Sequence, residues 1–201
     1  MSRTTWLGTL AVLGSILLTS CAASEAGTTH DSSHSTHTMP DGTVMDDSAM
    51  AEPETRRPSA AARMVCAGDV VEDVTRILAV TDAPDPVPSW TEPVFTCTYE
   101  LEAGPLVLSV HDATDPKAGR DYFESLRSRL GEVQKLRGLE SFGLPAYETD
   151  DGSVVFLRDG KTLHVDATAL HGDLGPDGSL SRNDVAYAVA ASVIACWTEH
   201  A

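Results

Sequence analysis

Two rhythms of apolar and polar residues run through the chain from Met64 onward, and neither occurs between residues 22 and 62. "AGDVVEDVTRILAV" sets Val70, Val74, Ile77 and Leu78 on one helical face, with Glu72, Asp73 and Arg76 elsewhere. "VFTCTYEL" alternates instead, with Phe95, Cys97, Tyr99 and Leu101 pointing one way. After the turn "EAGP", the run "LVLSVH" reads as the returning strand of a hairpin. "TDAPDPVPSWTEP", ahead of that hairpin, reads as a proline-broken loop. "KAGRDYFESLRSRL" returns to the helical period through Tyr122, Phe123, Leu126 and Leu130, and Gly131 is its stop. "AYETDDGSVVFLRDGKTLHVDATAL" divides into three strands at Asp150-Asp151-Gly152 and Asp159-Gly160. The last helix, "SRNDVAYAVAASVIACW", is capped by Ser181 or Asn183 and turns Val185, Val189, Ser192, Val193 and Cys196 inward.

Helices set apart from hairpin-linked strands predict an α+β fold. The expectation is a single domain, residues 63–201, with an antiparallel sheet and helices packed mainly on one face. Two β segments, each followed by a helix, hint at a duplication, although no repeat is visible residue by residue. The segment before it, residues 21–62, is rich in Ser, Thr, Ala, Asp, Gly and Pro and holds no Phe, Tyr, Trp, Leu or Ile. Such a chain cannot bury enough apolar surface to offset its ordering entropy, so a disordered tether is expected.

The formal net charge of −16 repels phosphate backbones, which argues against nucleic acid as a partner. Acidity of this kind also serves solubility.

The N-terminus changes the picture more. Arg3 is followed by the apolar run Leu7 to Leu18, too short to span a bilayer as a settled helix, and then by Leu18-Thr19-Ser20-Cys21. This resembles the bacterial lipobox. The resemblance implies a lipoprotein signal peptide over residues 1–20, cleavage before Cys21, and acylation of that cysteine (diacylglyceryl and palmitate-type chains). The protein would then be held on the extracytoplasmic face of the cell membrane, since two acyl chains anchor stably where one does not.

An oxidising space lets the remaining cysteines, Cys66, Cys97 and Cys196, form at most one internal bridge. A Cys66–Cys97 disulfide would pin the first helix to the sheet and is the favoured pairing; Cys97–Cys196 and Cys66–Cys196 stay open. Cys66 opens a helix, Cys97 stands two residues before Tyr99, and "CTYEL", "YFESLR" and "ACWTEH" follow in order. With the lipobox and tether, this layout is similar to uncharacterised exported lipoprotein domains of high-GC Gram-positive bacteria. That resemblance implies an extracytoplasmic α+β fold and the Cys66–Cys97 bridge, and no known catalysis.

The tether has one chemical peculiarity. His30, His34 and His37 are followed by Met39, Met45 and Met50. Imidazole suits Cu(II), Zn and Ni, and thioether suits Cu(I). The tract resembles the His/Met-rich segments of exported copper-handling proteins, which makes these six residues candidate copper ligands. A plain polar spacer has the same composition.

Other motifs are weaker. "DLGPDGSLSRND" places Asp173, Asp177, Gly178 and Ser181 as a calcium loop would, but Gly175 and Asp184 stand where other ligands belong, and a loop capped into a helix is the better reading. His111, His164, His171 and His200 share no metal spacing, and Trp90 reads as a core or loop anchor. The pairs Asp150/Asp151 and Glu140/Glu148 are expected to be solvated acids at turns. No nucleophile motif and no P-loop occurs. The expectation is a non-enzymatic, lipid-anchored binding module that copper could reach through the tether. The alternatives are a structural or interaction lipoprotein with an inert spacer, or a small-molecule or lipid carrier.

Overall fold

The computed structural model describes residues 57–197, together with the backbone of two short strands, β1 (His37–Thr38) and β2 (Val44–Met45). β1 and β2 form an antiparallel ladder of their own, His37 facing Met45 and Thr38 facing Val44. A short ladder therefore interrupts the segment expected to be unstructured throughout.

The main body is the expected α+β unit. Its sheet has seven strands, all antiparallel, in the order β3-β4-β5-β9-β8-β7-β6. They are β3 (Pro86–Thr91), β4 (Val94–Leu101), β5 (Gly104–His111), β6 (Gln134–Lys135), β7 (Ala146–Glu148), β8 (Ser153–Arg158) and β9 (Lys161–Asp166). Four helices complete it: α1 (Ala60–Arg63), α2 (Gly68–Leu78), α3 (Pro116–Leu130) and α4 (Arg182–Trp197). Two meanders, β3-β4-β5 and β6-β7-β8-β9, meet where β5 pairs with β9, and each leads into a helix.

Register decides which residues share a face. Phe95 opposes Val110, Cys97 opposes Leu108 and Tyr99 opposes Leu106, and this row continues across β9 and β8 through Leu163, Val165, Val154 and Phe156. All are buried: α4 packs on β8 and β9, the turn at residues 64–66 packs on β3, β4 and β5, and α2 packs against α4. α4 contributes Val185, Val189, Val193, Ile194 and Trp197, and α2 contributes Val70, Val74 and Leu78. Each such side chain stabilises the fold by about 1.5–3 kcal/mol when fully removed from water. The opposite face is covered at one end by α3, where Phe123 and Leu126 pack with Tyr147, Val155 and Leu157. β8, covered on both sides, is accordingly a continuous apolar run rather than an alternating one. Gly119 lets α3 cross the β8–β9 turn, since a Cβ there would lie 1.8 Å from the Gly160 carbonyl oxygen.

Two boundaries differ from the sequence reading. Residues 86–91, expected as loop, are the edge strand β3, paired only with β4. Pro86 and Pro88 occupy alternate positions, so both missing N–H groups lie on one side of the strand, and only an edge strand has an open side. The β3–β4 turn is Glu92-Pro93, joined by a cis peptide bond. The packed body also begins earlier than residue 63. Ala62 is fully buried, and Ser59 caps α1 by accepting from the Ala62 N–H at 3.1 Å. Ser59 is itself held by Asp112, its N–H donating at 2.6 Å and its hydroxyl at 3.0 Å.

Candidate functional site

Three segments meet at one end of the sheet. α2 stops because Ala79 takes a left-handed conformation (φ 54°), which returns its N–H to the Arg76 carbonyl and sends Val80 back against the helix end. The β4–β5 hairpin turns through Glu102 and Ala103 into Gly104 (φ 107°), where a Cβ would lie 2.4 Å from the Ala169 carbonyl oxygen. That close approach lets the loop after β9 lie on the hairpin tip, where the His171 N–H donates to the Ala103 carbonyl at 2.8 Å. A bridge between Leu174 and Leu180 closes the loop.

Between these segments lies a cleft of about 330 Å³. Leu78, Val80, Leu101 and Leu174 form its apolar wall, and Glu102 and Asp173 stand on its rim beside His171. A second hollow of about 550 Å³ adjoins it, sharing Val80, Leu101 and Glu102 and adding Asp82 and Glu100. Neither is lined by a Lys or Arg. No single sequence run carries this signal, because each wall comes from an element terminus or a loop.

Glu140 and Glu148, expected to be solvated acids at separate turns, border one further cleft of about 220 Å³ with Leu136, Asn183, Asp184 and Tyr187. The Asn183 amide donates to Glu148 at 2.8 Å, and the Tyr187 hydroxyl donates to the Glu140 backbone carbonyl at 3.1 Å. Burial first, and then the charges of Glu140 and Glu148, push the Tyr187 phenol up. Asp184 is engaged elsewhere: it accepts from the Ser181 N–H and hydroxyl at 2.9 and 2.6 Å, while the Ser181 hydroxyl accepts from the Asp184 N–H at 3.1 Å. That reciprocal cap selects Ser181 as the start of α4.

The other sequence candidates are placed as follows. Cys66 and Cys97 form a disulfide with Cα atoms 5.5 Å apart, and Cys196 is buried outside any disulfide. His37 faces Met45 in the β1–β2 ladder, whereas Cys21, His30, His34, Met39 and Met50 lie outside the described residues, as does His200. His111 stacks on Tyr122 with ring centroids 3.8 Å apart, and His164 stands opposite Ser109 on β5. Trp90 is half-buried on β3 opposite Phe95. Among the described residues, no three His, Cys, Asp or Glu side chains converge as metal ligands. In the calcium-like stretch, Asp173 and Asp177 are exposed while Ser181 and Asp184 are spent on the helix cap, as a plain capped loop requires. Among the described residues, no helix is long and apolar enough to cross a membrane.

No protein-family model, no curated protein and no solved structure matches this chain.

Proposed function

We propose that the protein is a lipid-anchored, extracytoplasmic binding module without catalytic activity, acylated at Cys21 and presenting the cleft between α2, the β4–β5 hairpin and the loop after β9. The observation that carries this reading is the Cys66–Cys97 bridge, because such a bond persists in oxidising compartments and is rare in reducing ones. The Leu18-Thr19-Ser20-Cys21 run adds the means of attachment. The cleft supports binding in its chemistry, with apolar contacts from Leu78, Val80, Leu101 and Leu174 below carboxylates on separate loops. Growth of producing bacteria with an alkyne-bearing palmitate analogue tests the anchor. Label should enter the wild-type protein and be absent from Cys21→Ala; label in neither, with the protein in the cytosol, overturns the reading.

A second role, copper capture by the tether, is supported by the β1–β2 register. It pairs His37 with Met45, which brings a histidine and a methionine of the candidate set to one position of the backbone ladder. His30, His34, Met39 and Met50 would complete the ligand set as the chain wraps the ion. Calorimetric titration of the mature chain, with and without residues 28–50, tests it. Copper uptake lost with the deletion supports the role, and equal uptake by both removes it.

A further inference from the structure

The cleft described above has two properties that together specify a ligand. Its wall is aliphatic, made by Leu78, Val80, Leu101 and Leu174, and its volume of about 330 Å³ falls at the small end of ligand-sized pockets. Its rim carries charge of one sign. Glu102 stands where the two hollows join, Asp173 lies on one side, and Asp82 and Glu100 lie on the other. Among the described residues, none of these four carboxylates is in an ion pair. We infer that this cleft binds a small organic cation with an apolar body, the body against the leucines and the ammonium group between Glu102 and Asp173. The inference rests on the reading of the domain as a binding module and names its ligand class.

Both halves of the ligand are required. A fatty acid of the same size would fit the wall and bring a carboxylate against four others. A hydrophilic amine would satisfy the rim and leave the aliphatic wall in contact with water. Attraction between a rim carboxylate and an ammonium group in a solvated cleft is modest, so affinity comes from the combination. The loop that bears Asp173 is fixed by the His171–Ala103 hydrogen bond and the Leu174–Leu180 bridge, so the rim is formed before the ligand arrives.

A fluorescence titration tests this on the mature chain carrying Cys21→Ser, so that no lipid competes for the probe. Three probes share one dansyl body on a short alkyl chain and differ only in the end group: a primary amine, its neutral N-acetyl form, and a carboxylate. The amine should bind saturably and about tenfold more tightly than the neutral form, with no saturable binding of the carboxylate. Glu102→Gln combined with Asp173→Asn, both at exposed positions, should bring the amine down to the neutral probe, whereas Glu132→Gln outside the cleft should leave it unchanged. Val80→Trp or, independently, Ala103→Phe should abolish binding of both by filling the cleft. Equal affinity for all three probes, absence of saturable binding, or an amine affinity that ignores the paired rim change would each overturn the inference. None of these outcomes bears on acylation, which the palmitate label reports separately.

Discussion

The phenolic hydroxyl of Tyr99 donates to the backbone carbonyl of Val65 at 2.6 Å, and two residues earlier on the same strand Cys97 is bonded to Cys66. The turn that leads into α2 is therefore fastened to β4 twice, once by a covalent bond and once by a fully buried hydrogen bond. Burial pushes the Tyr99 phenol up, so it remains a neutral donor at any physiological pH. Tyr99→Phe keeps the ring and leaves the Val65 carbonyl without its partner. The expected loss is about 1–2 kcal/mol of stability with an unchanged denaturant slope, measured by urea unfolding.

Removal of the covalent half should cost more. The bridge closes a loop of 31 residues, and the chain-entropy relation gives about 3–4 kcal/mol for a loop of that length. Cys66→Ala combined with Cys97→Ala should lower the urea midpoint accordingly, and reductant should lower the wild-type midpoint while leaving the variant unaffected. With Cys21 acylated as proposed, thiol titration of the unfolded mature wild type should count one thiol, that of Cys196, which lies outside the bridge.

The sequence made the elements with strong periodicity plain and left the relations between them obscure. α2, α3 and the β4–β5 hairpin follow from spacing, because one face of each is apolar, whereas α4 follows from its cap and from a run that is apolar nearly all round. β3 was hidden by Pro86 and Pro88, which signal a loop everywhere except at a sheet edge. α1 was hidden by "SAAAR", whose alanines resemble the linker before them until Asp112, far along the chain, captures Ser59. The meeting of β5 with β9 depends on pairing across the whole of α3 and the second meander, which no local pattern encodes. The cleft is equally illegible, as its walls are the end of α2, a hairpin tip and a loop. Glu140 and Glu148 could be seen as a pair, but their shared border with Tyr187 depends on where α4 docks.

Asp112 joins the N-terminal entry of the domain to its sheet. It is 2% exposed and accepts from Ser59 and from the Lys161 ammonium group. Asp112→Ala leaves Lys161 with the Ala113 carbonyl but without its carboxylate, and Ser59 without its anchor, with an expected cost of about 3–5 kcal/mol. Release of α1 should appear as faster trypsin cleavage after Arg63. Asp112→Asn, which retains an acceptor oxygen, should show a smaller change in both measurements.

Acid should weaken the domain in two steps. His164 lies between β5 and β8 on the face that α3 borders, with Arg129 from α3, Asp166 on its own strand and His111 on β5 as the charged or titratable groups around it. Burial chiefly lowers its pKa; Asp166 acts to raise it and Arg129 to lower it further. The unfolded chain therefore takes up a proton below 6.5 that the folded protein refuses, and stability falls as pH drops from 6.5 toward the lowered folded value. Asp112 follows at lower pH. Burial alone would raise its pKa, but Lys161 and Ser59 outweigh that, and the net direction is down. Its contribution is complete above 3.8 and is lost as pH falls through the lowered folded value. Urea midpoints at pH 7.5 and 5.5 should differ for the wild type, and the difference should shrink in His164→Asn.

The polypeptide is proposed to be anchored outside the cytosol through Cys21. Intact-mass analysis of protein extracted from the membranes of its native host tests this most directly. The expected mass is that of a chain beginning at Cys21, increased by a diacylglyceryl group and lighter by two hydrogens for the Cys66–Cys97 bond. A chain that retains residues 1–20, with an unmodified Cys21 and every thiol reduced, would contradict it.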